Sequence, residues 1–245
     1  MKKYRTITSL FVLFLIWQII SIQIDNDFLI PYPLEVIKMM GQQLMSASFY
    51  EIVFATLLRS FLGLTIAFVV AFLCAYYAYR YTVFKDIFYP ILLLTRSVPN
   101  IAYIIIILVW FGAENSAAIV SFLIIFPTIY SNIYTGLENM DENLKKVMSL
   151  YPSKEGYCLR KIYIPLLKAP MKASISTGIS LTFKVGVMAE ILGQVQVGIG
   201  RQLNLARITS DITGIFAWTG WIILILLLME AILHFLYNSS RFKES

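Results

Sequence analysis

Charge is what this chain has least of. Only 14% of its 245 residues are Asp, Glu, Lys or Arg, while 59% are hydrophobic and the mean hydropathy is +0.75. A soluble domain of this length carries roughly a quarter charged residues, so the composition excludes one and points to an all-α integral membrane protein. Histidine occurs once and cysteine twice. Cys74 and Cys158 have no metal-ligand spacing and read as unpaired thiols. His234, alone in the last apolar segment, makes no catalytic constellation and reads as structural or interfacial. No G-x-x-x-x-G-K-[ST] loop, no G-x-S-x-G and no paired-carboxylate site occurs. The chain therefore has no evident means of hydrolysing a nucleotide, and no metal or cofactor is expected. Energy for any driven process must come from an ion gradient or a partner.

What is there is a set of long apolar runs. Crossing the hydrocarbon core takes about 20 apolar residues in a helix. Six segments qualify: 6–24, 53–79, 87–111, 117–137, 173–192 and 213–237. Lys2, Lys3 and Arg5 before the first run give it the look of a signal peptide, but "IQIDND" follows where a small-residue cleavage site would be. A retained anchor is expected.

The placement of basic residues sets the orientation. With the N-terminus cytoplasmic, fourteen of the twenty Lys and Arg lie in cytoplasmic segments, and only Lys38, Arg201 and Arg207 lie outside. Both termini are then cytoplasmic in a multi-pass cell-membrane protein. Topology accounts for the net charge of +6, so no nucleic-acid partner is expected. Outside, the stretch from Pro33 places Leu34, Ile37, Met40 and Leu44 on one face and is expected to lie along the membrane surface. The "GIG" of residues 198–200 follows no strand and has no Lys-Ser ending, so it reads as a flexible turn.

One polar island interrupts the apolar runs. From about Asp141 to Lys168 it is cytoplasmic, with Leu144, Val147, Met148 and Tyr151, then Leu159, Ile162 and Tyr163, at helical spacing. Pro152 fits the first turn of a second helix after a break near Tyr151, and Pro165 ends or kinks that helix. This reads as a short helix, a turn and a second helix leading into the fifth span. Either it docks a soluble partner through its apolar face, or it is a surface loop resting on the headgroups.

Charges inside spans cost at least about 2.5 kcal/mol each at mid-helix and usually face the protein interior. Arg59 and Glu190 fall at similar depth near the outer ends of spans two and five and are expected to form a structural ion pair. Arg96 precedes "SVPN", where Pro99 breaks the third span, and Lys184 lies near the middle of the fifth. Arg96, Pro99 and Lys184 either line a pathway suited to an anionic solute or, for the two cations, hold helices together. Glu230 lies near the cytoplasmic end of span six and reads as structural. Ser174 with Gly178, and Ser176 with Ser180, form small-residue pairs suited to close packing, within the chain or between copies.

The island resembles the cytoplasmic coupling loop of binding-protein-dependent ABC importer permeases. Their signature runs E-A-A, then glycine, then I-x-L-P. Here "IYIP" from Ile162 to Pro165 keeps the ending, while Lys146, Val147 and Met148 replace E-A-A and Pro152 takes the glycine position, with Gly156 four residues on. Other stretches are similar to the nitrate/sulfonate/taurine-type branch. They are "LIPYPLEVIKMM", the Thr56, Arg59 and Gly63 of "TLLRSFLG", Arg96 and Pro99 ahead of Trp110–Gly112, "AEILG" at Ala189–Gly193 and "FAWT" at Phe216–Thr219.

The resemblance covers nearly the whole chain as a single permease domain, residues 1–245, with the coupling loop at about 138–170. It implies six transmembrane helices of the type I importer kind. It also implies an importer subunit that is not itself an enzyme: a cytoplasmic ABC ATPase dimer docks on the island, and an extracytoplasmic substrate-binding protein delivers the solute. A second permease copy, as a homodimer, completes the pathway among membrane lipids. Relatives of this branch carry nitrate, sulfonates, taurine or thiamine-precursor pyrimidines. An ion-gradient-driven secondary transporter is the alternative, but it predicts inverted repeats and midplane acids, and neither is evident.

Overall fold

The computed structural model describes the backbone of residues 2–26, 28–151 and 153–241, and the side chains of 8, 9, 11–26, 28–151 and 153–237. Every regular element among them is helical. α1 (Lys2–Ile24) is followed by α2 (Pro33–Leu44), α3 (Ala47–Arg80), α4 (Thr82–Ser97) and α5 (Asn100–Glu138). The island holds α6 (Glu142–Leu150), α7 (Glu155–Cys158), a π-helical turn (Leu159–Tyr163) and α8 (Ile164–Leu166). α9 (Lys168–Gly193), α10 (Ile199–Ile208) and α11 (Ile212–Arg241) complete the chain.

Six uninterrupted spans were expected; the described residues hold four helices long and apolar enough to cross a membrane, at 47–80, 100–138, 168–193 and 212–237. In α1 the apolar stretch is the shorter Phe11–Ile24. The third expected span is divided. α4 stops at Ser97, Val98 is extended (φ −80°, ψ 129°), and α5 starts at Asn100. Pro99 has no N–H to give, and its ring disfavours helix at the residue before it. The rest of that span and all of the fourth belong to α5, which bends at Gly112 (φ 75°, ψ 172°). Only glycine adopts that region freely. Gly112→Ala meets no steric neighbour within 4 Å, so any loss is backbone strain. A drop of about 1–3 kcal/mol is expected; a denaturation midpoint equal to the parent's would show that the bend does not need glycine.

The core is a three-helix contact of α3, α5 and α9. Gly63, Ala67, Ala71, Ala75 and Ala78 recur every three or four residues along α3, and all are buried. Small residues at helical spacing let backbones approach closely, which is how helices hold together where lipid gives no hydrophobic drive. Opposite them lie Ile125, Ile129, Ile133 and Leu137 of α5. Ile104, Ile107, Ala117 and Val120, from both limbs of α5, share a second cluster with Val185 and Ala189 of α9.

The two small-residue pairs of α9 separate. Ser174 and Gly178 are buried inside the chain, Ser174 accepting from Asn132 Nδ2 at 3.0 Å, whereas Ser176 is exposed. α2 forms where its amphipathic pattern places it, buries Val36 and docks on α11 through a Trp221–Gln43 hydrogen bond of 2.8 Å. The island adjoins the N-terminal end of α9, and α10 adjoins its C-terminal end.

Candidate functional site

At the island end, α6 starts because Asp141 caps it. The Asp141 carboxylate accepts from the backbone N–H groups of Asn143 (2.8 Å) and Leu144 (3.2 Å). Such a cap satisfies donors that a helix start leaves open. Glu138 at the end of α5 anchors the start: its carboxylate lies 3.6 Å from Lys85 Nζ, and its carbonyl accepts from Lys145 Nζ at 3.2 Å. Lys145 also pairs with Glu142 at 3.0 Å, a hydrogen bond that raises the ammonium pKa.

The second helix begins at Glu155, three residues later than expected, and Pro152 lies outside the described residues. It reaches Pro165 through the π turn, which holds Ile162. Tyr163 fixes this segment to α3, edge-on to Tyr76 and Tyr79 at 5.8 and 6.0 Å. Burial pushes the Tyr163 hydroxyl above its ordinary pKa. Arg80 Nε bonds Glu155 at 3.3 Å, an exposed pair that adds little stability.

The island is thus ordered and attached, yet none of its described residues from Asp141 to Leu166 is buried. Val147, Leu150, Tyr151 and Tyr157 are more than half exposed. Lys146, Gly156 and Pro165 are exposed as well, and Met148 and Ile162 are half-buried.

At the α10 end, Arg59 and Glu190 meet at 2.9 Å. They sit in a larger network that the sequence did not reveal. Arg59 also donates to the Val197 carbonyl at 2.7 Å and pairs with Glu114. Glu190, fully buried, accepts further from Thr56 Oγ1 at 2.9 Å and from the N–H of Gly200 at 3.0 Å. Thr56 accepts from Ile199 N–H at 2.9 Å, and Glu114 from Gln196 N–H at 2.7 Å.

The "GIG" stretch is therefore no flexible turn: it is clamped between Thr56 and Glu190 and opens α10. A Cβ on Gly198 would stand 2.6 Å from the Glu190 carboxylate, and one on Gly200 2.4 Å from its Cβ. Glycine is there for close approach, which no pattern in a single sequence announces. The signal available for α10 was "IGRQLNLARI", a short amphipathic run behind a glycine.

Between the two ends lie the remaining intramembrane charges. Arg96 donates from Nη2 to the Pro127 carbonyl at 3.2 Å and to Ser131, joining α4 to α5. It lines a cavity of about 230 Å³ with Lys85, Tyr89, Tyr130 and Ser131. Pro99 is exposed at the start of α5. Lys184 is exposed and enters no ion pair among the described residues. Glu230 of α11 accepts from Ser180 Oγ of α9 at 3.1 Å.

An ordered island between two apolar spans, with none of its described residues from Asp141 to Leu166 fully buried, is the arrangement that the resemblance to importer permeases implied. The model of the binding-protein-dependent transport system inner membrane components matches residues 63–241. This chain belongs to that family. It is 23% identical over 210 residues to the formylaminopyrimidine transport permease protein of Halalkalibacterium halodurans, covering 84% of this chain and 82% of that one. A Bacillus subtilis protein named as an aliphatic sulfonates transport permease is 24% identical over 217 residues, 84% and 75% of the two chains. A Brucella melitensis protein named as an ABC transporter permease is 23% identical over 192 residues, 76% of each.

This family member is a multi-pass permease subunit of a binding-protein-dependent ABC importer, a transport component rather than an enzyme. Its partners are an ATPase and a binding protein.

Proposed function

We propose that the chain is one half of a homodimeric pathway for a small anionic solute, with the island and both termini on the cytoplasmic side. The observation that carries this reading is the island itself. It is capped at Asp141, tied to Glu138 and braced on Tyr76 and Tyr79, yet none of its described residues between Asp141 and Leu166 is fully buried. Ordered apolar surface left open in this way suits a soluble partner's groove.

Lys146, Val147, Met148, Gly156, Ile162 and Pro165, with Pro152 between them, are the coupling residues that meet the ATPase dimer. The π turn supports that role, since π-helical turns occur frequently at functional sites. The density of Lys and Arg on the island side supports the orientation. The external binding protein then meets the α10 end, where Arg59 and Glu190 hold the loop 194–200 as a structural pair.

The anionic class rests on Arg96, whose hydrogen bonds go to the neutral Pro127 carbonyl and Ser131 and leave its charge uncancelled among the described residues. Pro99, at the broken helix, lines the same route, and Lys184 flanks it from α9. The relatives' names cover a pyrimidine and sulfonates, so the anionic reading stands on Arg96 rather than on them. Lipid covers the apolar outer faces of α3 and α11.

Replacing residues 146–159 with a Gly/Ser linker tests the coupling role. The intact chain is expected to co-purify with an ATPase in detergent, and the linker variant to lose it while remaining monodisperse. An ATPase retained by the linker variant would move the docking site elsewhere.

A further inference from the structure

α9 is the most enclosed of the four long apolar helices, covered by α3, α5, α10 and α11. One stripe of it stays open: Thr177, the half-buried Ser180, Lys184, Met188 and Leu192, spaced three or four residues apart. The open faces elsewhere are of a different kind. On α3 the exposed stripe is Phe61, Ile66, Val69 and Leu73; on α11, on the side away from Glu230, it includes Leu224 and Leu228. Those faces suit lipid. The α9 stripe does not, because a lysine near the middle of a span is costly to leave against hydrocarbon.

Glu230 lies beside this stripe. Its carboxylate is exposed and takes a 3.1 Å hydrogen bond from Ser180. Lys184 is one turn further along α9, about 6 Å by helical rise. Side chains on a helix lean toward its N-terminus, so Lys184 leans toward the level of Ser180 and Glu230. A cation and an anion thus share one face at nearly one depth. Among the described residues neither has an ion-pair partner in the chain, including each other.

Resting on the homodimer reading above, we infer that this α9–α11 face is where two copies of the chain meet, with Lys184 of each against Glu230 of the other. A two-fold axis along the membrane normal preserves depth, so each residue meets groups at its own level. The contact is reciprocal, as a two-fold interface requires. The face is self-complementary in charge, and Ser176, Thr177 and Ser180 are small enough for close helix approach. The pair then flanks the pathway that runs between the copies.

Two full-length copies with different tags, both carrying Cys74→Ser and Cys158→Ser, test this in native membranes. One carries Lys184→Cys and the other Glu230→Cys. Oxidation with copper phenanthroline, or a short bis-methanethiosulfonate reagent, is expected to join the two tags covalently. Leu73→Cys on the lipid-facing stripe of α3, set against Glu230→Cys, is expected to give no link. Tagged copies that co-purify without any link from position 184 to 230 would overturn the face and leave the homodimer standing. Copies that fail to co-purify would overturn both. A charge exchange gives a second readout. Lys184→Glu or Glu230→Lys alone is expected to lower co-purification of the tags several-fold, and the two together to restore it. A double variant no better than the singles would sink the pairing.

Discussion

Glu190→Ala is expected to be the most damaging single substitution in the chain. The carboxylate is fully buried and takes hydrogen bonds from Arg59, Thr56 and the N–H of Gly200. Removing it takes one of two carboxylates from a guanidinium that is itself only 16% exposed and leaves the buried Gly200 N–H without its acceptor. Breaking a buried pair by deleting one partner costs about 3–5 kcal/mol. The effect should extend beyond one contact. Glu190 connects α9 to α3 and to the segment that opens α10, so its loss also releases that segment at Gly200, while Gln196, Val197 and Ile199 keep their own bonds.

The midpoint of thermal aggregation in detergent, followed by fluorescence size exclusion, is expected to fall by on the order of 10 °C. Glu190→Gln keeps one acceptor oxygen for Thr56 or Gly200 and should fall by less. Glu114→Ala removes a half-exposed carboxylate and should cost about 1 kcal/mol or less. If Glu190→Ala were as mild as Glu114→Ala, the network would not be holding this end of the protein together.

Gly63→Leu is expected to rank second, through sterics rather than charge. A Cβ at residue 63 would stand 2.5 Å from the carbonyl oxygen of Ala118 and 2.7 Å from Cβ of Ser121. The first of these is backbone, which cannot rotate away, so α3 and α5 must separate. Overpacking of this kind typically costs about 1–3 kcal/mol, and a leucine lies at or beyond the upper end. The separation would propagate along the alanine ridge, because Ala67, Ala71, Ala75 and Ala78 rely on the same close approach.

Gly41→Ala is the control. That glycine sits in α2 with nothing within 4 Å of the added carbon. Alanine is the better helix former there, and a gain of about 0.5–1 kcal/mol is expected. A Gly63→Leu variant with the parent's melting midpoint would mean that the α3–α5 contact yields freely, contrary to its geometry.

The two substitutions act on features of different legibility. The apolar runs, the amphipathic α2, the break at Pro99 and the helix-turn-helix pattern of the island were readable because each is a local property. Composition, periodicity and proline stereochemistry act within a few residues and leave their mark in order along the chain. Arg59 and Glu190 were also paired correctly by depth, since a charge in a span seeks its opposite at the same level. The rest of that network was not readable. Glu114, Val197 and Gly200 come from three separate segments, and nothing in their own neighbourhoods marks them as partners of Arg59 and Glu190.

The same boundary explains what was misread and what was left open. "GIG" looked like a flexible turn because glycine is permissive in isolation; whether it is flexible depends on what faces it, and Thr56 and Glu190 face it here. The two small-residue pairs of α9 had identical spacing, and only the packing of Leu64 and Ile125 against Gly178 decided which one lies inside. Likewise Arg96 and Lys184 looked alike as lone cations in spans. The carbonyl of Pro127 takes Arg96, while Lys184 meets no ion-pair partner among the described residues.

By itself, then, the sequence determined the class, most of the spans and the place of the island. These follow from burial preferences that every residue carries with it. Tertiary structure alone decided which charges are satisfied, which glycines are clasped and which stripe of α9 is left open. Those are contacts between residues distant in the chain, and only the folded chain brings them within reach of one another.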